Sequence, residues 1–213
     1  MIEEGGVRRA GWRGAWVLGM LLLAGCIGSP GRSAEPMATF TLEAAFPAKA
    51  PAPNGPALLV AAPHARAGFD TERMAYMRSQ NQLEYFARNR WIDAPARQLA
   101  PLIVQALEST GAFSAVVQAP TMARAKWRLE TEIVKLQQEF FQQPSRIHLV
   151  LRVQLIDAST QQPVAAQVFS ATVPAPSEDA RGGAKAANEA LGQLLPQLAR
   201  WCAASLEQAP PPN

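Results

Sequence analysis

Between Trp127 and Val173 the chain alternates apolar and polar residues through three successive segments separated by two turn sequences. In the first, Trp127 to Phe141, the residues Trp127, Leu129, Thr131 and Ile133 alternate with Arg128, Glu130 and Glu132. Gln142-Gln143-Pro144-Ser145 then supplies turn residues. In the second, Arg146 to Asp157, Ile147, Leu149, Leu151, Val153 and Leu155 share one face, and His148, Arg152 and Gln154 lie on the other. A second turn, Asp157 to Pro163, leads into Val164 to Val173. A period of two is the signature of a strand with one buried face. The pattern therefore predicts a three-stranded antiparallel meander, with one side on a core and the other wetter.

Two helical patterns flank it. Over Asp93 to Gly111, Leu99, Leu102, Ile103, Ala106 and Leu107 form one apolar face. Asp93 is placed to cap, Pro95 suits a first turn and Gly111 follows the end. Pro101 interrupts the pattern and predicts a kink or a late start. From Gly183 to Leu206, Ala187, Leu191, Leu194, Leu198, Trp201 and Cys202 repeat at helical spacing, while Gly182, Gly183 and Pro196 are expected to weaken the helix locally. Upstream, Thr39–Leu42, Ala57–Ala62 and Phe113–Val117 read as short strands. Arg73–Met77 and Gln82–Phe86 read as a hairpin turning at Ser79-Gln80-Asn81. The 213 residues suffice for a proper core, and 48% apolar with 17% charged residues exclude a disordered or collagen-like chain. The predicted fold is α+β: a mostly antiparallel sheet with a C-terminal meander, and two main helices packed on one face. No internal repeat is visible.

The N-terminus carries a different kind of signal. Arg8, Arg9 and Arg13 form a positive region, and Ala15 to Leu23 an apolar run of nine residues. That run is too short to span a hydrocarbon core of ~30 Å as a helix, and has the length of a signal-peptide core. Ala24 and Gly25 supply small residues before Cys26. An ordinary secretory signal would leave Cys26 incidental. The arrangement as a whole, ending in Leu23-Ala24-Gly25-Cys26, instead resembles the lipobox of bacterial lipoproteins. That resemblance implies a diacylglycerol on the Cys26 thiol, cleavage before Cys26 and acylation of the new N-terminus. Two or three acyl chains would hold the protein firmly at a membrane, at ~0.8 kcal/mol per buried CH₂. Residue 27 is Ile rather than the Asp that resembles an inner-membrane retention signal, which points to the outer membrane, facing the periplasm. The expected organisation is a signal peptide over 1–25, a flexible tether over 26–38, one α+β domain over 39–206 and a disordered tail over 207–213. Cys202 is left without a disulfide partner and reads as a buried small residue.

Little in the chain suggests chemistry. It has two Cys, two His, a net charge of +3 and no Lys/Arg run of the kind that marks a nucleic-acid surface. His64 lies in a loop-like stretch and His148 on a polar strand face, while Arg128, Glu130 and Glu132 read as a solvated charged face. No phosphate loop, nucleophile elbow or zinc spacing is present, so a non-enzyme without cofactor or metal is expected. The concentrated feature is the turn-rich stretch with Tyr76, Tyr85, Phe86, Arg88, Arg90 and Trp91. Tyr, Trp and Arg are over-represented at interface hot spots. Tyr76, Tyr85, Arg88, Arg90 and Trp91 are therefore candidate partner-binding residues, against the plainer reading that Tyr85 and Trp91 pack beneath the first helix.

The order Arg73-Met74-Ala75-Tyr76, Leu83-Glu84-Tyr85-Phe86, Asn89-Arg90-Trp91, Pro95-Ala96 and Leu107 to Phe113 resembles the ABC-type transport auxiliary lipoprotein family, which includes the paraquat-inducible protein C lipoproteins. The resemblance runs from about Thr39 to Trp201. It implies an outer-membrane lipoprotein that contacts an MCE-domain protein of a transporter moving lipids between the two Gram-negative membranes. It also brings in self-association, since a ring would suit a tube-forming partner. The alternative is a structural envelope lipoprotein, one that assists outer-membrane protein assembly or binds peptidoglycan. Neighbouring genes for a permease, an ATPase and an MCE protein would favour transport.

Overall fold

The computed structural model of the chain describes residues 36–47 and 49–208. In chain order its elements are β1 (Ala38–Phe40), β2 (Ala57–Val60), β3 (His64–Ala65), β4 (Arg73–Met77), β5 (Leu83–Trp91), α1 (Pro95–Glu108), β6 (Ala115–Gln118), β7 (Trp127–Glu139), β8 (Arg146–Asp157), β9 (Gln162–Pro174) and α2 (Ala180–Glu207). Cys26, the lipobox around it and residues 209–213 lie outside the described residues.

The 13-residue β7 organises the sheet. On one edge it pairs antiparallel with β8 over almost its whole length, and β8 pairs the same way with β9, giving the meander. On its other edge three short strands follow one another, all parallel to it. Leu58–Val60 lie beside Trp127–Leu129, His64–Ala65 beside Glu132–Ile133, and Ala75–Met77 beside Gln137–Glu139. The chain thus travels along β7 as one interrupted strand. Pro63, which lacks a backbone donor, stands at the first interruption. β6 extends the sheet beyond β2, and β5 and then β1 extend it beyond β4. The parallel pairings involve only two to four residues each, so the antiparallel ladders of the long strands carry most of the sheet.

Both helices lie on one face. α1 packs on β2, β3 and β6, α2 on β8 and β9, and the two touch each other. Leu99, Ile103, Ala106 and Leu107 of α1 are fully buried, as are Leu129, Leu151, Val153 and Leu155 of the sheet. Burying such aliphatic side chains stabilises the fold by about 1.5–3 kcal/mol each before conformational entropy is counted. The alternation of β7 breaks once, at a bulge between Ile133 and Lys135. The bulge keeps Leu136 against the helices and turns Lys135 outward.

Three details depart from the sequence expectation. α1 begins at Pro95, where a missing donor costs nothing, and continues through Pro101, which is exposed. The expected late start does not occur. Asp93 does not cap α1. It accepts the Ala94 N–H at 2.7 Å and pairs with Arg97 one turn on, which holds its carboxyl below the usual range. The glycine pair of the second helix also needs a different account. α2 starts at Ala180, capped by Asp179, whose carboxylate accepts the Gly182 N–H at 2.8 Å and the Ser177 hydroxyl at 2.7 Å. A Cβ on Gly182 would sit 2.1 Å from the Ser177 carbonyl oxygen, and one on Gly183 would sit 2.3 Å from the Gln138 Oε1. The pair lets the first turn of α2 lie directly on the capping loop and the sheet, so close approach outweighs its poor helix propensity.

Cys202 is fully buried on α2, and burial pushes its thiol up to about 12. Among the described residues no helix is long and apolar enough to cross a membrane.

Candidate functional site

The aromatic and arginine residues singled out above lie on the β4–β5 hairpin and its continuation. The turn at residues 78–82 contains Asn81 at φ +65°, a conformation Asn tolerates better than most residues. Ala75 pairs with Tyr85, Tyr76 with Glu84 and Met77 with Leu83. Because neighbouring residues of a strand point to opposite sides, the two tyrosines are separated. On one side the Tyr76 hydroxyl donates to Glu84 Oε2 at 2.9 Å, and the ring packs on Phe86 at 4.7 Å and edge-on to Phe140 at 5.9 Å. The hydrogen bond to the Glu84 carboxylate, with a smaller effect of burial, raises the Tyr76 pKa, so the phenol stays protonated. The Arg78 guanidinium lies 5.3 Å from the centre of the Tyr76 ring.

On the other side the Tyr85 hydroxyl donates to the Gly68 carbonyl at 3.0 Å, and Arg73 stacks 3.9 Å over its ring. Gly68 stands at φ +96°, with Leu83 so near that a Cβ would lie 2.9 Å from it. Tyr85 therefore ties the loop before β4 to the hairpin as well as presenting a partly exposed ring. Arg88 is exposed. Arg90 is half exposed, with its guanidinium 3.7 Å from Glu72, a distance at which an exposed pair contributes little. Trp91 is a core residue, only 3% exposed, at the point where β1 joins β5. It supports the hairpin from within and drops out of the candidate surface.

The hairpin thus carries two partly exposed aromatic–arginine clusters back to back, Arg78–Tyr76–Phe86–Phe140 and Arg73–Tyr85, with Arg88 and Arg90 further along the strand. β1 pairs only with Asn89–Trp91, so from Leu83 to Ala87 the outer edge of β5 has no strand partner among the described residues. Sequence reasoning missed Phe140, Arg73 and Arg78. Phe140 lies far along the chain from Tyr76 and Phe86 and joins the cluster only because β4 pairs with the end of β7. Arg73 opens the Arg73–Met77 strand and Arg78 follows it, so both were visible as arginines at its two ends.

The helix-free face of the meander holds the other polar groups. Arg128 pairs with Glu130 at 3.0 Å, and Glu132 takes Arg66 at 3.0 Å and Arg152 at 3.4 Å. These flank a shallow cavity of about 390 Å³, also lined by His64 and Gln154. Further along, Ser170, His148 and Glu139 stand on adjacent strands, with Ser170 Oγ 3.4 Å from His148 Nε2 and His148 Nδ1 3.1 Å from Glu139. The order is that of a nucleophile, a base and an orienting acid. It is also what diagonal neighbours on one face of an antiparallel ladder give, since His148 itself faces Gln137 and Thr172. Among the described residues no group of His, Cys, Asp and Glu is arranged to hold a metal ion.

Comparison with known proteins bears on the whole fold rather than on one site. A family profile, the ABC-type transport auxiliary lipoprotein component, matches residues 40–199. The chain belongs to this family. Among solved structures it is similar to protein XCC0632 from Xanthomonas campestris, assigned to DUF330, at 23% identity and a TM-score of 0.71, covering 80% of this chain and 97% of that one. It is also similar to the structure of an uncharacterised protein at 15% identity and a TM-score of 0.62, covering 79% and 99%. At these identities the likeness establishes the fold. No curated protein gives a significant match. Membership makes the chain an auxiliary lipoprotein of ABC-type transport, and its described residues supply the α+β body of such a component.

Proposed function

We propose that this protein is a non-catalytic auxiliary subunit of an MCE-type ABC system that moves lipid between the inner and outer membranes. In this reading Cys26 carries the lipid, the anchor sits in the outer membrane, and the folded body projects into the periplasm. The β4–β5 hairpin is its contact with the MCE-domain protein, through Tyr76, Tyr85, Arg88 and Arg90. The observation that carries the reading is the family match across residues 40–199, which makes transport the context in which an exposed aromatic–arginine hairpin has to be understood. Such side chains bury large area and still hydrogen-bond, so a few of them can dominate an interface.

The test is co-purification of an MCE-domain protein co-expressed with this chain, using the full lipoprotein extracted in detergent. Wild type should retain that partner, and Arg88→Ala or Arg90→Ala should lose it while keeping the wild-type melting temperature. Retention by both variants would move the contact away from the hairpin. Failure of wild type to retain the partner would remove the MCE reading itself. Separately, Cys26→Ala should leave an unprocessed or mislocalised precursor. A variant of normal mass that still fractionates with outer membranes would exclude Cys26 as the anchor.

A further inference from the structure

At the β6 edge of the sheet, the end of α1, the proline-rich segment between β1 and β2 and the start of β6 border a cleft of about 260 Å³. Phe46, Phe113 and Val116 give it apolar walls, and Lys49 and Glu108 stand in the same lining. Packing accounts for the apolar residues: Phe113 is buried in the core, and Phe46 and Val116 pack partly against it. It does not account for the two charges. Glu108 is the last residue of α1, where the carbonyl end of the helix dipole disfavours an anion, and the last turn holds no basic residue to offset it. Lys49 lies across the same helix end, its Cβ and Cδ 3.4 and 3.5 Å from where a Cβ on Gly111 would stand. Yet the two side chains are not paired with each other or with any other described residue.

We infer that this cleft binds the head of a zwitterionic phospholipid, with its ammonium on Glu108, its phosphate on Lys49 and its adjoining methylenes against Phe46, Phe113 and Val116. Three features choose this ligand. An ammonium at Glu108 offsets an anion left at the negative end of a helix, and a phosphate at Lys49 engages a cation that no described carboxylate holds. A purely anionic head would instead bring like charge to Glu108. Apolar walls beside both charges select a ligand whose charges adjoin methylenes. The size and openness of the cleft decide the rest. Sites for drug-sized molecules are typically about 300–1,000 Å³ and bury most of the ligand. Lys49, Glu108 and Ala115 are exposed, so this smaller cleft opens to solvent. It suits a head group whose chains continue outside it, whereas a free zwitterion such as an amino acid would stay largely hydrated there. The cleft shares no residue with the β4–β5 hairpin, so its occupancy can be measured without a partner protein.

The experiment reads bound ligand on the full chain, extracted in a non-ionic detergent, by native mass spectrometry. The probes are dihexanoyl phosphatidylethanolamine, dihexanoyl phosphatidylglycerol and leucine. Wild type is expected to take one phosphatidylethanolamine per chain. Phosphatidylglycerol, which has no ammonium, and leucine should each bind roughly tenfold more weakly or worse. Glu108→Gln should remove the preference, weakening phosphatidylethanolamine roughly tenfold and leaving phosphatidylglycerol no weaker than before. Lys49→Gln should weaken both lipids. Ala115→Trp fills the cleft from an exposed strand position and should exclude both at an unchanged melting temperature. Equal affinity for the two lipids, a preference that survives Glu108→Gln, or binding that survives Ala115→Trp would each overturn the assignment. So would the absence of any lipid adduct, or leucine as the tightest ligand. None of these outcomes bears on capture of a partner by the hairpin, so the transport reading stands or falls separately.

Discussion

Strands β7 to β9 and the β4–β5 hairpin belong to one sheet, yet they are held in different ways. The meander is held by repetition. Twelve-residue ladders bring Leu129 against Leu155, Ile133 against Leu151 and Leu149 against Ala171, and two helices seal that face. The hairpin is held by particular contacts: Tyr85 on Gly68, Tyr76 on Glu84, Phe140 from the far end of β7, and Trp91 buried beneath. Its core is shared with β1, which contributes three residues. Long ladders over a sealed core leave few side chains spare for partners. A hairpin braced from beneath by one tryptophan can leave tyrosines and arginines at its surface. On the proposed reading the first region supplies stability and the second recognition.

The difference can be broken most strongly at the centre of the meander. Leu151→Ala should cost about 2–5 kcal/mol, because Leu151 is fully buried between two strands and a helix and the cavity cannot collapse without moving all three. Denaturant unfolding measures it, and a loss below 1 kcal/mol would mean that this core is looser than its burial implies. Gly183→Ala should come next, at about 1–3 kcal/mol of destabilisation. Alanine would gain up to ~1 kcal/mol of helix propensity, but its Cβ would overlap the buried Gln138 amide, so the sign of the change decides between propensity and packing.

Smaller effects are expected at the edges of both regions. Asp179→Ala should lower stability by about 1 kcal/mol through loss of the α2 cap. The Gly182 N–H and the Ser177 hydroxyl hold the Asp179 carboxyl below its usual range. Its contribution is therefore present above the unfolded-state value, near 3.9, and is lost as pH falls through the lower folded value. The gap between wild type and Asp179→Asn should accordingly narrow below about pH 4. Tyr85→Phe should cost about 1 kcal/mol or less, the net value of one hydrogen bond to Gly68. A much larger loss would make the hairpin depend on Tyr85 as the meander depends on its leucines.

The two regions also differed in how well the sequence announced them. The meander was legible because its alternation runs long enough to exclude a helix, and Leu99 to Leu107 named the buried face of α1 as it stands. What escaped was set by tertiary neighbours. β3 is two residues long, and nothing local marks His64–Ala65 as paired with β7. The bulge after Ile133 and the close contact of Gly183 with Gln138 depend on residues far apart in the chain. Trp91 has the composition of an interface anchor and the position of a core residue, and only the pairing of β1 with β5 separates the two.

The division between a stabilising meander and a recognising hairpin is tested most directly at the exposed arginines. Arg88→Ala and Arg90→Ala, measured together for melting temperature and for capture of the proposed MCE-domain partner, should each stay within about 0.5 kcal/mol of wild type in stability. At least one should lose tenfold or more in capture, as expected when an anchor worth about 2 kcal/mol is removed. Undiminished capture by both, or loss of capture only alongside loss of folding, would contradict the account and return the hairpin to scaffold.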